Sequence, residues 1–169
     1  MRRREFLLGS AGTLALAGAA AGIWTMRTTS PAAAAAEGSF EVTHTDAEWR
    51  ALLSPEQFRV LREEGTERAF TSPLNDEKRA GTFHCAGCDL PAYPSSAKYD
   101  SGTGWPSFWE ALPDAIGKRQ DNSFFMTRTE CHCRRCGGHF GHIFDDGPPP
   151  TGLRHCINGL ALTFKPAQA

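Results

Sequence analysis

The chain has 169 residues and a formal net charge of −1 at pH 7, and 40% of its residues are hydrophobic. This length predicts one domain of ordinary size, and the hydrophobic fraction is sufficient for one core. Residues 1–36 include four arginines and one glutamate, so residues 37–169 have a net charge of −4. A mildly acidic domain lacks the basic surface that nucleic acids require, so we expect no nucleic-acid partner.

The first 36 residues have the layout of a signal peptide. The stretch "MRRREFLLGSAGTLALAGAAAGIW" places an arginine cluster before a Gly/Ala/Leu run, and "SPAAAAAEG" supplies a cleavage region of small residues. Arg3 and Arg4, followed by Phe6-Leu7, match the twin-arginine export pattern. We expect export by this route with cleavage near residue 34 or 36, which would place residues 37–169 in the periplasm or another extracytoplasmic compartment. Retention at the membrane by an uncleaved N-terminus is the alternative.

Two short helices are predicted between residues 45 and 65. Thr45 with Glu48, and Ser54 with Gln57, have the spacing of capping boxes, in which two side chains reciprocally bind the backbone at a helix start. Gly65 is expected to end the second helix. We assign no catalysis to this segment and expect it to cover a sheet.

From residue 80 onward the sequence is typical of short strands joined by tight turns. Glycine and proline alternate with short apolar runs such as "GTFHCAGC", "SFFMTRTECHC", "GHIFDDG" and "HCINGLALTF". No long helical period reappears. The pattern predicts a small, mainly β domain, with antiparallel strands and helices at its start.

Four of the six cysteines are spaced like metal ligands. Cys85-Ala-Gly-Cys88 and Cys133-Arg-Arg-Cys136 are two C-x-x-C pairs. A tight turn directs two thiolates at one ion, and two such turns complete a tetrahedron, so we predict a structural zinc ion (Zn2+) bound by these cysteines. A closed site of four thiolates stabilises the fold and has no open position for a substrate. Two disulfides or a redox-active C-x-x-C are the alternatives, although the thioredoxin-like setting for the latter is missing.

Cys156, in "LRHCINGLALTF", stands apart from the two pairs. A lone cysteine is usually a buried structural residue. On a strand, however, Arg154 and Asn158 would share its face, and a neighbouring cation lowers the pKa of a thiol and favours the nucleophilic thiolate. The stretch "GGHFGHIFDDG" adds His139 and His142, and a histidine that carries a proton near a thiolate suits covalent catalysis at sulfur.

A glycine-rich loop, "YDSGTGWPSFWE", contains Trp105, Phe108 and Trp109. We expect exposed aromatic side chains on such a loop to line a small apolar pocket rather than a core. Together with the histidines, the loop favours a catalytic site at Cys156 over a structural thiol.

The segments "KYDSGTGWPSFWEAL", "MTRTE" and "CGGHFGHIFDDGPPPTGLRHCINGLALTF", with the two C-x-x-C pairs, resemble methionine sulfoxide reductase B over roughly residues 45–165. The resemblance implies a β-rich fold of two antiparallel sheets, with the zinc site distant from the active site. It also implies reduction of methionine-R-sulfoxide, in proteins or free, with electrons from thioredoxin or a similar thiol donor.

The resemblance implies that a thiolate attacks the sulfoxide sulfur, that histidine hydrogen-bonds or protonates the oxygen, and that the cysteine becomes a sulfenic acid. The implied positions are Cys156 as nucleophile, His142 and His139 as donors to the oxygen, Asp146 and Arg154 as orienting charges, Asn158 beside the nucleophile, Trp105 as the receiver of the S-methyl group and Phe144 as a pocket wall.

The sequence departs from the family at two positions. Many members carry a resolving cysteine in the loop, where Thr103 stands here. Cys131 is the remaining thiol, but it shares strand parity with Cys133, which places it near the zinc, so we expect direct reduction of the sulfenic acid by an external thiol over a Cys131–Cys156 disulfide. His155 replaces a common aromatic residue and is expected to face away from Cys156.

We therefore predict a monomeric peptide-methionine (R)-S-oxide reductase. The competing hypothesis is a zinc-stapled β binding module without catalysis. Both require the zinc site, but only the enzyme requires a reactive Cys156, the histidine pair and an open aromatic pocket.

Overall fold

The computed structural model describes residues 40–123 and 126–168. In this part of the chain two α-helices, α1 (Asp46–Leu52) and α2 (Pro55–Glu63), precede all the strands. The strands are β1 (Gly81–Cys85), β2 (Pro91–Pro94), β3 (Lys98–Tyr99), β4 (Ser107–Phe108), β5 (Ile116–Asp121), β6 (Arg128–Cys133), β7 (His139–Phe144), β8 (Arg154–Ile157) and β9 (Leu162–Pro166). None of the described helices has the length and apolar character needed to cross a membrane.

Both helices begin at capping boxes, as predicted. The Thr45 and Ser54 side chains accept from the backbone of Glu48 and Gln57, and the latter side chains accept from the cap backbone. The end of α2 differs from the prediction, because the left-handed residue is Glu64, with φ 54°, and not Gly65. Gly65 is needed for space instead, since a Cβ there would lie 2.8 Å from the Arg59 carbonyl oxygen.

The strands form two antiparallel sheets, which confirms the predicted mainly β fold. The smaller sheet has the order β2-β1-β9, and the larger has the order β3-β4-β8-β7-β6-β5. In the larger sheet β8, which carries Cys156, lies between β4 and β7. The loop, the histidine segment and the lone cysteine are distant in sequence, and this strand order brings them side by side.

Aromatic side chains from both sheets meet in the core. Tyr93 stacks on Phe108 with ring centroids 4.4 Å apart, and Phe83 meets Phe108 edge-on at 5.0 Å. Phe108 is fully buried, so the expectation that it lines a pocket is wrong. It follows Ser107 on β4, and alternation along the strand turns it away from the side that Cys156 faces.

Candidate active site

One row of opposing residues crosses all six strands of the larger sheet. Cys156 lies opposite His142 on β7 and opposite Ser107 on β4. The row continues from His142 to Glu130 and Arg119, and from Ser107 to Tyr99. Directly opposed residues on antiparallel strands share a face, so these polar side chains project from one surface of the sheet.

An irregularity in the β6–β7 pairing places both histidines in this region. His139 and His142 are three residues apart and would face opposite sides of a regular strand. The register shifts where β7 has one residue more than β6, between the pairs Cys131–Gly141 and His132–His139. The two imidazole rings consequently lie 5.5 Å apart.

Gly141 makes this arrangement sterically feasible. Its φ is 156°, and a Cβ on it would lie 2.1 Å from the Cys156 carbonyl oxygen. Only glycine therefore lets β7 approach β8 closely enough for His142 to stand opposite the thiol.

Each histidine is held by a carboxylate. His139 Nδ1 lies 2.6 Å from Glu130 Oε1, and His142 Nε2 lies 2.7 Å from Asp121 Oδ2. Because a carboxylate only accepts hydrogen bonds, these ring nitrogens carry the protons, and a neutral His142 keeps Nδ1 as an acceptor. Burial lowers the pKa of His142, and the hydrogen bond that His142 donates to Asp121 opposes this effect, so the neutral form is favoured.

Burial also acts on the Cys156 thiol. It raises the pKa of Cys156, and the Thr103 hydroxyl and the Arg154 guanidinium oppose that rise. The cation thus acts in the expected direction, but desolvation has the larger effect on the Cys156 pKa. The raised pKa of Cys156 favours the protonated thiol at rest.

Arg154 is fixed by Asp146 and by an aromatic ring. Its Nε and Nη2 donate to the two carboxylate oxygens of Asp146 at 2.8 Å each. The guanidinium carbon also stands 4.4 Å from the centroid of the Phe144 ring. This paired geometry holds a positive charge beside Cys156 in one orientation.

Asn158 and Trp105 are tied to the same residue, Glu67. The Glu67 backbone N–H donates to Asn158 Oδ1 at 2.9 Å, and the Trp105 indole N–H donates to the Glu67 carbonyl at 3.1 Å. The buried Glu67 carboxylate accepts from the backbone of Gly159 at 2.5 Å and of Leu160 at 3.0 Å. The segment before the sheets therefore locks the tryptophan and the asparagine to the strand that ends beside Cys156.

A cavity of about 140 Å³ opens above Cys156. This volume is smaller than the roughly 300–1,000 Å³ of pockets for drug-sized ligands and suits the end of one side chain. Its walls are Thr66, Trp105, Arg128, Gly141, His142, Phe144, Cys156 and Asn158. His139 lines a larger polar cavity of about 440 Å³ that shares His142 with the first one.

Two of the remaining sequence predictions concern thiol partners. Thr103 Oγ1 lies 3.9 Å from Cys156 Sγ, so residue 103 does contact the nucleophile. Cys131 lies on the opposite face of the sheet, fully buried, with its Sγ 3.3 Å from the Tyr93 hydroxyl. His155 also faces that side, and its Nδ1 lies 3.2 Å from the same hydroxyl.

Sequence reasoning missed Glu67, Asp121 and Glu130. Each is an isolated acid outside any motif, 9 residues from its partner for Glu130, 21 for Asp121 and 92 for Glu67, so no local pattern reveals it. The only available signal was the strand alternation around "MTRTE". It could have placed Glu130 on one face of its strand, but it could not have identified His139 as its partner.

The four C-x-x-C cysteines meet at one place, and their Sγ atoms all lie within 4.8 Å of one another. The Sγ atoms of Cys85 and Cys136 are 3.7 Å apart, and those of Cys88 and Cys133 are 3.5 Å apart. A tetrahedral ion with Zn–S bonds of about 2.3 Å requires edges of about 3.8 Å, so the set fits zinc. All six cysteines are free thiols, which is contrary to the disulfide alternative.

Comparisons with known proteins agree with this geometry. A family model described as the SelR domain matches residues 53–166. The chain is 59% identical over 123 residues to "Peptide methionine sulfoxide reductase MsrB" of Thiobacillus denitrificans, covering 72% of this chain and 93% of that protein. Proteins of the same name match from Pseudomonas putida at 55% identity over 127 residues (75% and 96%) and from Agrobacterium fabrum at 50% over 127 residues (75% and 94%).

Proposed function

Because the chain belongs to the SelR domain family, together with these methionine sulfoxide reductases B, we propose that it acts as a peptide-methionine (R)-S-oxide reductase. It reduces methionine-R-sulfoxide to methionine. The observation that carries the proposal is the cavity in which Cys156, His142, Trp105 and Phe144 meet. A thiol, a proton carrier and two aromatic walls are what a polar S=O group with an attached methyl requires.

The substrate binds with its methyl group against Trp105 and its sulfur facing Cys156. The indole and the Phe144 ring exclude water from the apolar end of the cavity. The indole cannot turn away freely, since its N–H is bound to the Glu67 carbonyl. A free hydroxyl or charge in place of the methyl would lose this contact.

Attack by sulfur requires removal of the thiol proton. His142 and Cys156 are directly opposed on neighbouring strands, which sets their Cβ atoms about 5 Å apart. The Nδ1 acceptor of His142 takes the proton as Cys156 Sγ attacks, and Asp121 stabilises the imidazolium. Arg154 favours the thiolate over the same step.

The imidazolium then gives the proton to the sulfoxide oxygen, and His139, in the adjoining cavity, can add a second hydrogen bond to it only as an imidazolium, because its Nδ1–H is bound to Glu130. The oxygen passes to Cys156 and the S–O bond of the substrate breaks. The substrate sulfur gains two electrons, and Cys156 loses two and becomes a sulfenic acid. Asn158 acts by positioning, because its amide spans the Glu67 and Phe140 backbones.

Two external thiols return Cys156 to its resting state. The first displaces water and forms a mixed disulfide, and the second releases Cys156 as a thiolate. The geometry supports an external donor, such as thioredoxin or a similar thiol, because Cys131 lies behind the sheet. A Cys131–Cys156 disulfide would require the strand to break.

Zinc has a structural role in this proposal. Cys85, Cys88, Cys133 and Cys136 would hold the ion, which supplies folding free energy by joining the end of β1 to the end of β6. No step of the reaction involves it.

We also propose export by the twin-arginine route, with the mature protein acting as a monomer in the periplasm or another extracytoplasmic compartment. The support is the sequence of residues 1–36, which lie outside the described residues. An uncleaved N-terminus would keep the enzyme at the membrane, where the same repair of oxidised exported proteins could proceed.

An assay with separated sulfoxide isomers tests the function. The wild-type protein with a thiol reductant should reduce the R-sulfoxide of a methionine peptide and leave the S-sulfoxide unchanged. Cys156→Ser should lose the activity by at least about a thousandfold, since the hydroxyl is a far weaker nucleophile. Cys131→Ala serves as the matched control and should stay active. An inactive wild-type protein with zinc bound would instead support the binding module.

A further inference from the structure

Three hydroxyl groups form a chain that ends at Cys156. Thr103 Oγ1 lies 3.9 Å from Cys156 Sγ and 2.8 Å from Ser101 Oγ. Ser101 Oγ lies 2.7 Å from Ser107 Oγ, and Ser107 is the cross-strand neighbour of Cys156. The loop and the strand thus place a continuous row of hydroxyls beside the thiol.

The Trp105 carbonyl oxygen, which can only accept, sets the direction of hydrogen-bond donation along the three hydroxyls at rest. The Ser107 hydroxyl donates to the Trp105 carbonyl oxygen at 3.2 Å. A hydroxyl has one proton, so Ser107 then accepts from Ser101, and Ser101 accepts from Thr103. Thr103 is left as the acceptor for the Cys156 S–H, which matches the protonated resting thiol.

We propose that the chain Thr103–Ser101–Ser107 reverses when Cys156 ionises, so that Thr103 donates to the thiolate and acts as a positioning residue for the nucleophile. This inference rests on the proposed function, in which Cys156 must lose its proton. After reversal Ser101 donates to Thr103, and Ser107 donates to Ser101 and releases the Trp105 carbonyl. Thr103 and Ser101 each keep one donor and one acceptor role, and Ser107 exchanges one acceptor for another, so only hydrogen atoms move.

The three hydroxyls lie where they can stabilise a thiolate that is partly shielded from water. Cys156 is half-buried, so a thiolate there has fewer solvent donors than one at the surface. The Thr103 hydrogen bond opposes the burial effect on the thiol pKa more strongly than the Arg154 charge does. A donor that exists only for the charged form favours the thiolate selectively.

The same donor assists the return to the resting state. When a second external thiol attacks the mixed disulfide, Cys156 leaves as a thiolate, and a lower thiol pKa speeds its departure. Residue 103 cannot form a disulfide in this chain, but its hydroxyl serves the step in which an external thiol releases Cys156.

Alkylation of Cys156 tests the proposal in the zinc-loaded protein without any sulfoxide. The rate with iodoacetamide is followed by mass spectrometry across pH, and its midpoint gives the pKa of Cys156. Thr103→Val, which keeps the shape and removes the hydroxyl, should raise the midpoint by about one unit and slow alkylation about tenfold at neutral pH. Thr103→Ser, the matched control, should stay within about twofold of the wild type.

Ser101→Ala tests the chain rather than the single contact. It leaves the Thr103 hydroxyl in place and removes the donor behind it, so the midpoint should rise by less than in Thr103→Val. An unchanged midpoint in Thr103→Val overturns the proposal, and an unchanged midpoint in Ser101→Ala alone overturns the reversal of the chain. Since alkylation does not involve turnover, a protein that shows these shifts and fails to reduce sulfoxide would refute the proposed function only.

Discussion

At the scale of single residues, Cys156 is governed by opposing effects of burial and hydrogen bonding. Removal from water favours the thiol, whereas Thr103 and Arg154 favour the thiolate. In the proposed mechanism a resting thiol resists oxidation and alkylation, and the opposed His142 supplies the base once the substrate is bound. Reactivity in this account depends on bound substrate rather than on a permanently ionised sulfur.

His155 lies on the other face of the same strand, and it tests how burial shifts the pKa of a side chain and thereby changes folding stability with pH. Burial lowers the pKa of His155 to about 4, and the groups around it are Tyr93, Cys131 and the nearby Lys118 charge. Between pH 6.5 and 4 the unfolded chain gains a proton that the folded chain does not. Folding stability should therefore fall by about 3 kcal/mol as the pH is lowered through that window.

His155→Phe should remove this contribution. Urea unfolding at pH 7 and at pH 4 gives the free energy of unfolding of both proteins, and zinc loss in acid affects both equally. The drop between the two pH values should be about 3 kcal/mol smaller in the variant. Equal drops in the two proteins would show that His155 is protonated in the folded state.

The sequence predicted the site residues whose type suits the chemistry and which also lie in a recognisable motif. Cys156, His142 and Trp105 were found from their residue types and resemblance, and they meet in one cavity. Phe108 was misassigned because an aromatic loop gives no sign of which ring turns inward. Glu67 was missed because its role depends on backbone N–H groups more than 90 residues away.

At the scale of the elements, one irregular strand pair determines the site. The extra residue in β7 turns His139 to the side of His142, and strand parity alone would have separated them. The glycine in "HFGHIF" was visible in the sequence, but its purpose was not, because the Cys156 carbonyl that requires it lies on another strand. Capping boxes are local, so the starts of α1 and α2 were predictable from the sequence.

The two C-x-x-C turns join the ends of β1 and β6 at one proposed metal site, and metal analysis tests whether they bind zinc. The protein should contain one zinc ion per chain. Cys133→Ser should lose the metal, and its melting temperature should fall by about 10 °C or more.

Cys131→Ser is the matched control for this variant, because it changes a buried thiol two residues away on the same strand. It should retain full zinc. Loss of zinc in Cys131→Ser, or retention in Cys133→Ser, would contradict the assigned ligands.

At the scale of the whole molecule, the smaller sheet and the helices pack with a larger sheet that carries the candidate active site. The mainly β class and the two antiparallel sheets were predicted, the first from short strand patterns and the second through resemblance. The strand order was not predictable from the residues, since pairing between β4, β8 and β7 joins segments about 50 and 12 residues apart. The cavity exists only because of that order.

In the proposed reaction, Cys156 takes the oxygen from methionine-R-sulfoxide without help from a second thiol of the chain. A single turnover tests it most directly: zinc-loaded protein is mixed with excess R-sulfoxide peptide in the absence of reductant, and dimedone then traps sulfenic acid. Mass spectrometry should find one methionine formed per chain and one dimedone adduct, located at Cys156. A disulfide between Cys131 and Cys156, or methionine formed with Cys156 unmodified, would refute the proposed role of Cys156.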